Sequence, residues 1–153
     1  HGDPKINNVM LDEQSGLAVG LIDLDTVKPG LVHYDIGDCL RSCCNPLGEE
    51  TLQVELVTFD LNLCRAILEG YLTMGRSFLS DQDFRYLPDC IRLIPFELGL
   101  RFLTDYLDGD RYFRTDRPSH NLDRALVQFA LTQSIEAQED DLQHMILELS
   151  GAS

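Results

Sequence analysis

The octet His1-Gly2-Asp3-Pro4-Lys5-Ile6-Asn7-Asn8 sets a carboxylate and a carboxamide five positions apart, and Ile22-Asp23-Leu24-Asp25 brings two more carboxylates after an intervening turn. Transfer of a phosphoryl group from ATP asks for such a set. It needs a carboxylate to orient or deprotonate an acceptor hydroxyl, and oxygen ligands for the Mg2+ that bridges the phosphates. Asp3 is of the type for the first task, Asn8 and Asp23 for the second. Magnesium takes one or two carboxylates together with phosphate oxygens and water, so a sparse set suffices. Asp25 stands two residues beyond Asp23; in an extended segment such residues point the same way, which makes Asp25 a second candidate ligand.

For these groups to converge, the chain between them must turn back. Val9–Leu11 and Leu17–Leu24 are short apolar runs separated by Asp12-Glu13-Gln14-Ser15-Gly16, a pattern that predicts a β-hairpin. After Lys28-Pro29-Gly30 the pattern becomes helical. Tyr34, Ile36, Leu40 and Cys44 fall near a helical period that Asn45-Pro46-Leu47-Gly48 ends. A second helix is expected between Asp60 and Met74, capped by Asp60 or Asn62, with Leu63, Ala66, Ile67 and Tyr71 inward. Ser80 opens a short helix that Pro88 closes, and a long one follows to Leu107, kinked at Pro95, with Ile91, Ile94, Leu98 and Phe102 buried. The last helix is expected from Ser119 to Leu149, with Leu122, Leu126, Phe129 and Ala130 inward. The expected fold is α+β, mainly α: a hairpin bearing the reactive loop on a helical bundle.

Composition narrows the partners. Among 153 residues, 26 Asp and Glu face 12 Lys and Arg, a net charge of -14, which repels nucleic acid and anionic membrane surfaces. No apolar run reaches the roughly 20 residues of a membrane-spanning helix. Five cysteines, Cys39, Cys43, Cys44, Cys64 and Cys90, are an odd number in a chain large enough to fold without staples, so reduced thiols and a cytoplasmic location are expected. Cys39 and Cys43 would share a helix face, without the further ligands a metal site needs. His33, His120 and His144 are read as surface residues.

His-Gly-Asp with Asn five residues after the Asp, then Ile-Asp, resembles the catalytic-loop and metal-loop pair of the protein-kinase-like phosphotransferases, in the aminoglycoside phosphotransferase and choline kinase branch. Asn7-Asn8-Val9-Met10-Leu11-Asp12, Ile22-Asp23-Leu24-Asp25-Thr26, Tyr34-Asp35-Ile36-Gly37-Asp38 and the run Phe96–Leu107 are similar to the N-acetylhexosamine 1-kinases. The resemblance implies the C-terminal lobe of the kinase-like fold over residues 1–153, with Asp3 as base and Asn8 and Asp23 on Mg2+. It implies that Arg101 and Tyr112 touch the sugar, and that His1 and Asp35 brace the loop. The implied reaction is phosphorylation of the anomeric hydroxyl of N-acetylglucosamine or N-acetylgalactosamine by ATP. Asp25 stands where the wider superfamily often has Gly.

A Gly-rich phosphate loop, a strand lysine and an adenine hinge are expected N-terminal to His1, as in a product cut from a longer chain. A lone lobe is then expected to be inactive and to self-associate through its uncovered face. Other acceptors, an aminoglycoside, choline or a different sugar, are the same-reaction alternatives. The scarcity of aromatics, 8% with no Trp, weakens choline. A non-catalytic helical module is the alternative of another class. Cys44-Asn45-Pro46 begins like the Cys-x-Pro-x-Arg segment of sulfatases, but Gly48 stands in place of the Arg.

Overall fold

The computed structural model describes residues 1–151. It is a mainly α, α+β fold: a two-stranded antiparallel hairpin leads into five helices. The hairpin pairs β1 (Val9–Leu11) with β2 (Ala18–Leu21), Val9 opposite Leu21 and Met10 opposite Gly20. Its turn closes where Asp12 N–H donates to the Leu17 carbonyl and the Asp12 carboxylate accepts from the backbone and hydroxyl of Ser15. Gly16 sits there at φ 68°, a conformation glycine adopts without steric cost.

The helices are α1 (Val32–Cys43), α2 (Leu61–Gly75), α3 (Asp81–Leu107), α4 (His120–Glu136) and α5 (Glu139–Ser150). Asp60 caps α2 by accepting from Asn62 and Leu63 N–H. Ser80 and Asp83 form a reciprocal capping box on α3. Packing of α3 against α4 and α1 makes the centre of the molecule. Leu40, Leu68, Leu87, Ile91, Leu131, Ile135 and Leu142 are the largest apolar side chains enclosed there.

Several expectations need correction. Pro88 does not end a helix; both Pro88 and Pro95 lie inside α3. A proline costs a helical hydrogen bond, but Phe84, Leu87, Cys90 and Ile91 are buried on either side of Pro88, so interrupting the helix would uncover that stripe. The single final helix is two, α4 and α5, parted at Ala137 and Gln138. The Gln138 amide donates to the carbonyls of Ser134 and Phe59, and the Ser134 hydroxyl accepts from Phe59 N–H. α5 can then fold back to bury Leu142, Met145 and Ile146 against α2 and α3. The run Glu139-Asp140-Asp141 is its first turn, where negative charge faces the positive end of the helix dipole.

Two apolar stripes are rotated from their expected positions. α2 buries Cys64, Leu68 and Leu72 while Leu63 is exposed, and α4 buries Ala125, Gln128, Leu131, Thr132 and Ile135 while Leu126 is 45% exposed. The α4 face is hidden from hydropathy because it includes His120, Asn121, Gln128 and Thr132. His120 is thus no surface histidine: it is 2% exposed, accepts the Asp116 N–H on Nδ1 and meets Glu50 through Nε2. His33 is half-buried beside the Asp83 carbonyl, and His144 is exposed. All five cysteines are free thiols, and Cys44 is enclosed. The Cys64 hydrogen bond and burial push the Cys44 thiol far above its ordinary range, the reverse of what a nucleophile requires. Among the described residues no helix is long and apolar enough to cross a membrane.

Candidate functional site

The loop ahead of β1 is tied down at its ends. Gly2 adopts φ 86°, and a side chain there would meet the Thr26 carbonyl at 2.9 Å, so the close approach of the two segments requires glycine. The Thr26 hydroxyl donates to the His1 carbonyl. From the first turn of α1, the Asp35 carboxylate accepts from the His1 nitrogen at 2.5 Å and from Gly2 N–H at 2.8 Å. The His1 ring spans the gap to the return strand, with Nε2 3.1 Å from the Ile22 carbonyl while Nδ1 accepts from Asp3 N–H at 3.3 Å. One ring nitrogen must donate and the other accept, which fixes the neutral tautomer with the proton on Nε2.

Asp3 is half-buried within this frame. Its Oδ2 accepts from the Asn8 amide at 3.1 Å and pairs with the Lys5 ammonium at 2.7 Å. Asn8, 4% exposed, spends its amide hydrogens on the Asp3 carbonyl (2.8 Å) and carboxylate, which turns its Oδ1 to the other side. The Asn8 carbonyl accepts from Ile22 N–H, and so the hairpin sets Asp23 next to the loop. Asp23 lies at φ 60°, ψ 59°, and Leu24–Thr26 form a 3₁₀ turn. The extended backbone that would align Asp25 with Asp23 is therefore absent. Both residues are exposed, and of the two only the charge of Asp23 bears on Lys5. The ammonium is held above its usual value first by its hydrogen bond to Asp3, against partial burial, and then by the charges of Asp3, Asp23 and Glu49.

Lys5 was not among the residues singled out from sequence. Its signal was spacing: two positions after Asp3 in a tight loop. Among the described residues no group of three or more His, Cys, Asp or Glu could hold a metal unaided. Asn8 Oδ1 and the Asp23 carboxylate are the hard oxygen donors magnesium prefers, in the small number it takes when phosphate supplies the rest.

Beside the loop lies a cavity of about 620 Å³, within the usual size of small-molecule sites. Its walls include His1, Gly2, Lys28, Asp35, Glu97 and Arg101. Arg101 projects from α3, paired loosely with Glu97 at 3.8 Å, and its guanidinium lies 5.8 Å from the Tyr112 ring and 5.4 Å from that of Phe113. Tyr112 is 75% exposed. The carboxylates Asp35 and Asp38 in the wall already have partners, Asp38 with the buried Arg41. Lys28 has no ion-pair partner among the described residues. The chain therefore gathers Asp3, Lys5 and Asn8 in one loop with Asp23 beside it, and sets Arg101, in the cavity wall, against the Tyr112 ring. Residues 1–70, which carry the loop, the hairpin and its α1 brace, match the family model of APH, the phosphotransferase enzyme family, and this match supports a kinase-like enzyme of the aminoglycoside phosphotransferase and choline kinase kind.

Proposed function

We propose that the chain carries the acceptor and metal side of an ATP-dependent small-molecule kinase that phosphorylates the anomeric hydroxyl of N-acetylglucosamine or N-acetylgalactosamine. The observation that carries the reading is the Asp3 carboxylate, gripped by Lys5 and Asn8 in a loop braced from α1. Asp3 takes the proton of the acceptor hydroxyl as its oxygen bonds to the γ-phosphorus, the bond from that phosphorus to the β,γ-bridging oxygen breaks, and ADP leaves. Lys5, paired with the carboxylate at 2.7 Å, orients it and sets a positive charge beside the reacting groups. Asn8 Oδ1 and Asp23 would hold Mg2+, which when bound neutralises charge on the phosphate oxygens. Arg101, in the cavity wall, and Tyr112 against it hold the sugar.

Other hydroxyl acceptors would use the same chemistry. Choline is disfavoured because the Tyr112 and Phe113 rings already face a guanidinium, which repels a second cation from the position where a quaternary ammonium would bind. The test is ADP release with Mg2+ by the protein bearing this chain, offered each N-acetylhexosamine, an aminoglycoside or choline, with products identified by phosphorus NMR. Sugar 1-phosphate formation is expected. Turnover confined to choline or aminoglycoside would refute the acceptor assignment.

A further inference from the structure

The segment that carries Tyr112 is irregular backbone with an exposed ring, yet its path is fixed from below by one carboxylate. Asp105 is 6% exposed on the last turns of α3 and makes no ion pair among the described residues. Instead it accepts from three consecutive backbone N–H groups, those of Arg111 (2.9 Å), Tyr112 (2.8 Å) and Phe113 (2.9 Å), and from the Asn121 amide (2.9 Å). Burial alone would raise its pKa; the donors from Phe113, Tyr112, Arg111 and Asn121 outweigh it and hold the carboxyl below its ordinary range. The Asn121 amide also donates to Asp110 Oδ1 at 2.9 Å, and Asp110 N–H returns to the Asp105 carbonyl. Asp110 lies at φ 56°, a left-handed residue that this ring of bonds holds in place.

Phe113 then packs on Phe102 with centroids 4.6 Å apart and ring planes tilted by 50°, and Tyr112 is left on the Arg101 guanidinium. Only an ionised carboxylate can serve: it has two oxygens that accept and nothing that donates, so it can meet four donors at once. An asparagine of the same shape would turn an NH₂ toward backbone N–H groups.

We infer that Asp105 is a positioning residue for the acceptor: it sets the Arg111–Phe113 backbone so that Tyr112 and Arg101 form one sugar-facing surface before substrate arrives. This rests on the proposed function. Pre-setting the surface lowers the ordering cost of binding, and a displacement of about 1 Å at such a site costs up to about a hundredfold in rate.

The experiment compares wild type with Asp105→Asn by amide hydrogen exchange, by titration with N-acetylglucosamine and by titration with ATP and Mg2+. Asp105→Asn should speed exchange of the Arg111, Tyr112 and Phe113 amides and weaken sugar binding, each by on the order of tenfold or more, as expected for losing hydrogen bonds to a charged acceptor. Exchange at Leu131 in the core and ATP affinity should stay as in wild type. Unchanged sugar affinity, or three amides as protected as before, overturns the inference while leaving the proposed function standing. No N-acetylhexosamine binding by wild type would sink the proposed function itself. Should Asp105→Asn fail to fold, Asn121→Ala removes one of the four donors: smaller shifts of the same sign support the inference, and no shift at the three amides overturns it.

Discussion

Replacing Asn8 tests whether its amide, and not its bulk, holds the Asp3 carboxylate. Asn8→Ala removes two donors, one to the Asp3 carbonyl and one to its carboxylate. A hydrogen bond to a neutral group contributes about 1 kcal/mol and one to a charged group about 1.5–3. Because Asp3 is half-exposed, water recovers part of this, leaving about 2 kcal/mol, roughly a thirty-fold increase in local opening. Asn8→Asp keeps the shape of the buried side chain but sets a second carboxylate 3.1 Å from the first. At an effective dielectric of about 20 that repulsion reaches about 5 kcal/mol before relaxation, so the isosteric variant should be looser than the truncated one by at least about tenfold.

The assay is hydrogen exchange at the Asn8 and Ile22 amides, which bond to the Lys5 and Asn8 carbonyls, and at Gly2, which bonds to Asp35. The sign with pH is fixed. Two facing carboxylates raise the folded-state pKa of the pair, so the stability of Asn8→Asp is fully present below the unfolded value of about 3.9 and is lost as pH rises through the raised value. The excess loosening should therefore vanish in acid. Asn8→Asp holding the loop at pH 8 as well as Asn8→Ala does would refute the reasoning.

Asp3→Asn in the active protein should abolish turnover, because the proposed function makes Asp3 the proton acceptor, and should leave cooperative unfolding of the helical core in place, since it removes no core packing; near-normal kcat would show that another group performs that task. Cys43 is lowered to about 7 by the Cys39 hydrogen bond, aided by Ile6 N–H and Arg41 against burial, while Cys39 is raised. Iodoacetamide should label Cys43 first, half-maximally near pH 7, with Cys90, pushed up to about 12 by burial, unmodified; equal labelling of the two would contradict this. Asp105, being lowered, stabilises its loop above the ordinary carboxylate range and loses that contribution as pH falls through its folded value; protection of the Arg111–Phe113 amides should fail in acid before that of Leu131. Leu40→Ala at a fully enclosed site should cost about 3 kcal/mol, or roughly 6–12 °C in Tm by calorimetry, and a change under 2 °C would mean the site collapses around the gap.

The sequence alone determined those features in which neighbouring residues settle the outcome. Asp12 through Gly16 closes the hairpin with its own side chains and a left-handed glycine, and Asp60 and Ser80 cap the helices they precede. The spacing of Asp3 and Asn8 on one short loop is of the same kind, because five residues cannot separate them far. Tertiary structure decided what depends on distant surfaces. α3 runs unbroken through two prolines because its flanks pack on α1 and α4. The α4 stripe was hidden because His120, Asn121, Gln128 and Thr132 are buried there as polar groups. Asp35 reaches the loop across 33 residues of sequence, and Arg101 meets Tyr112 only because Asp105 gathers three backbone amides beneath the intervening loop. A carboxylate's partners in space leave no period in the chain, and for that reason composition and pattern pointed to the loop around Asp3 but not to the bonds that hold that loop in place.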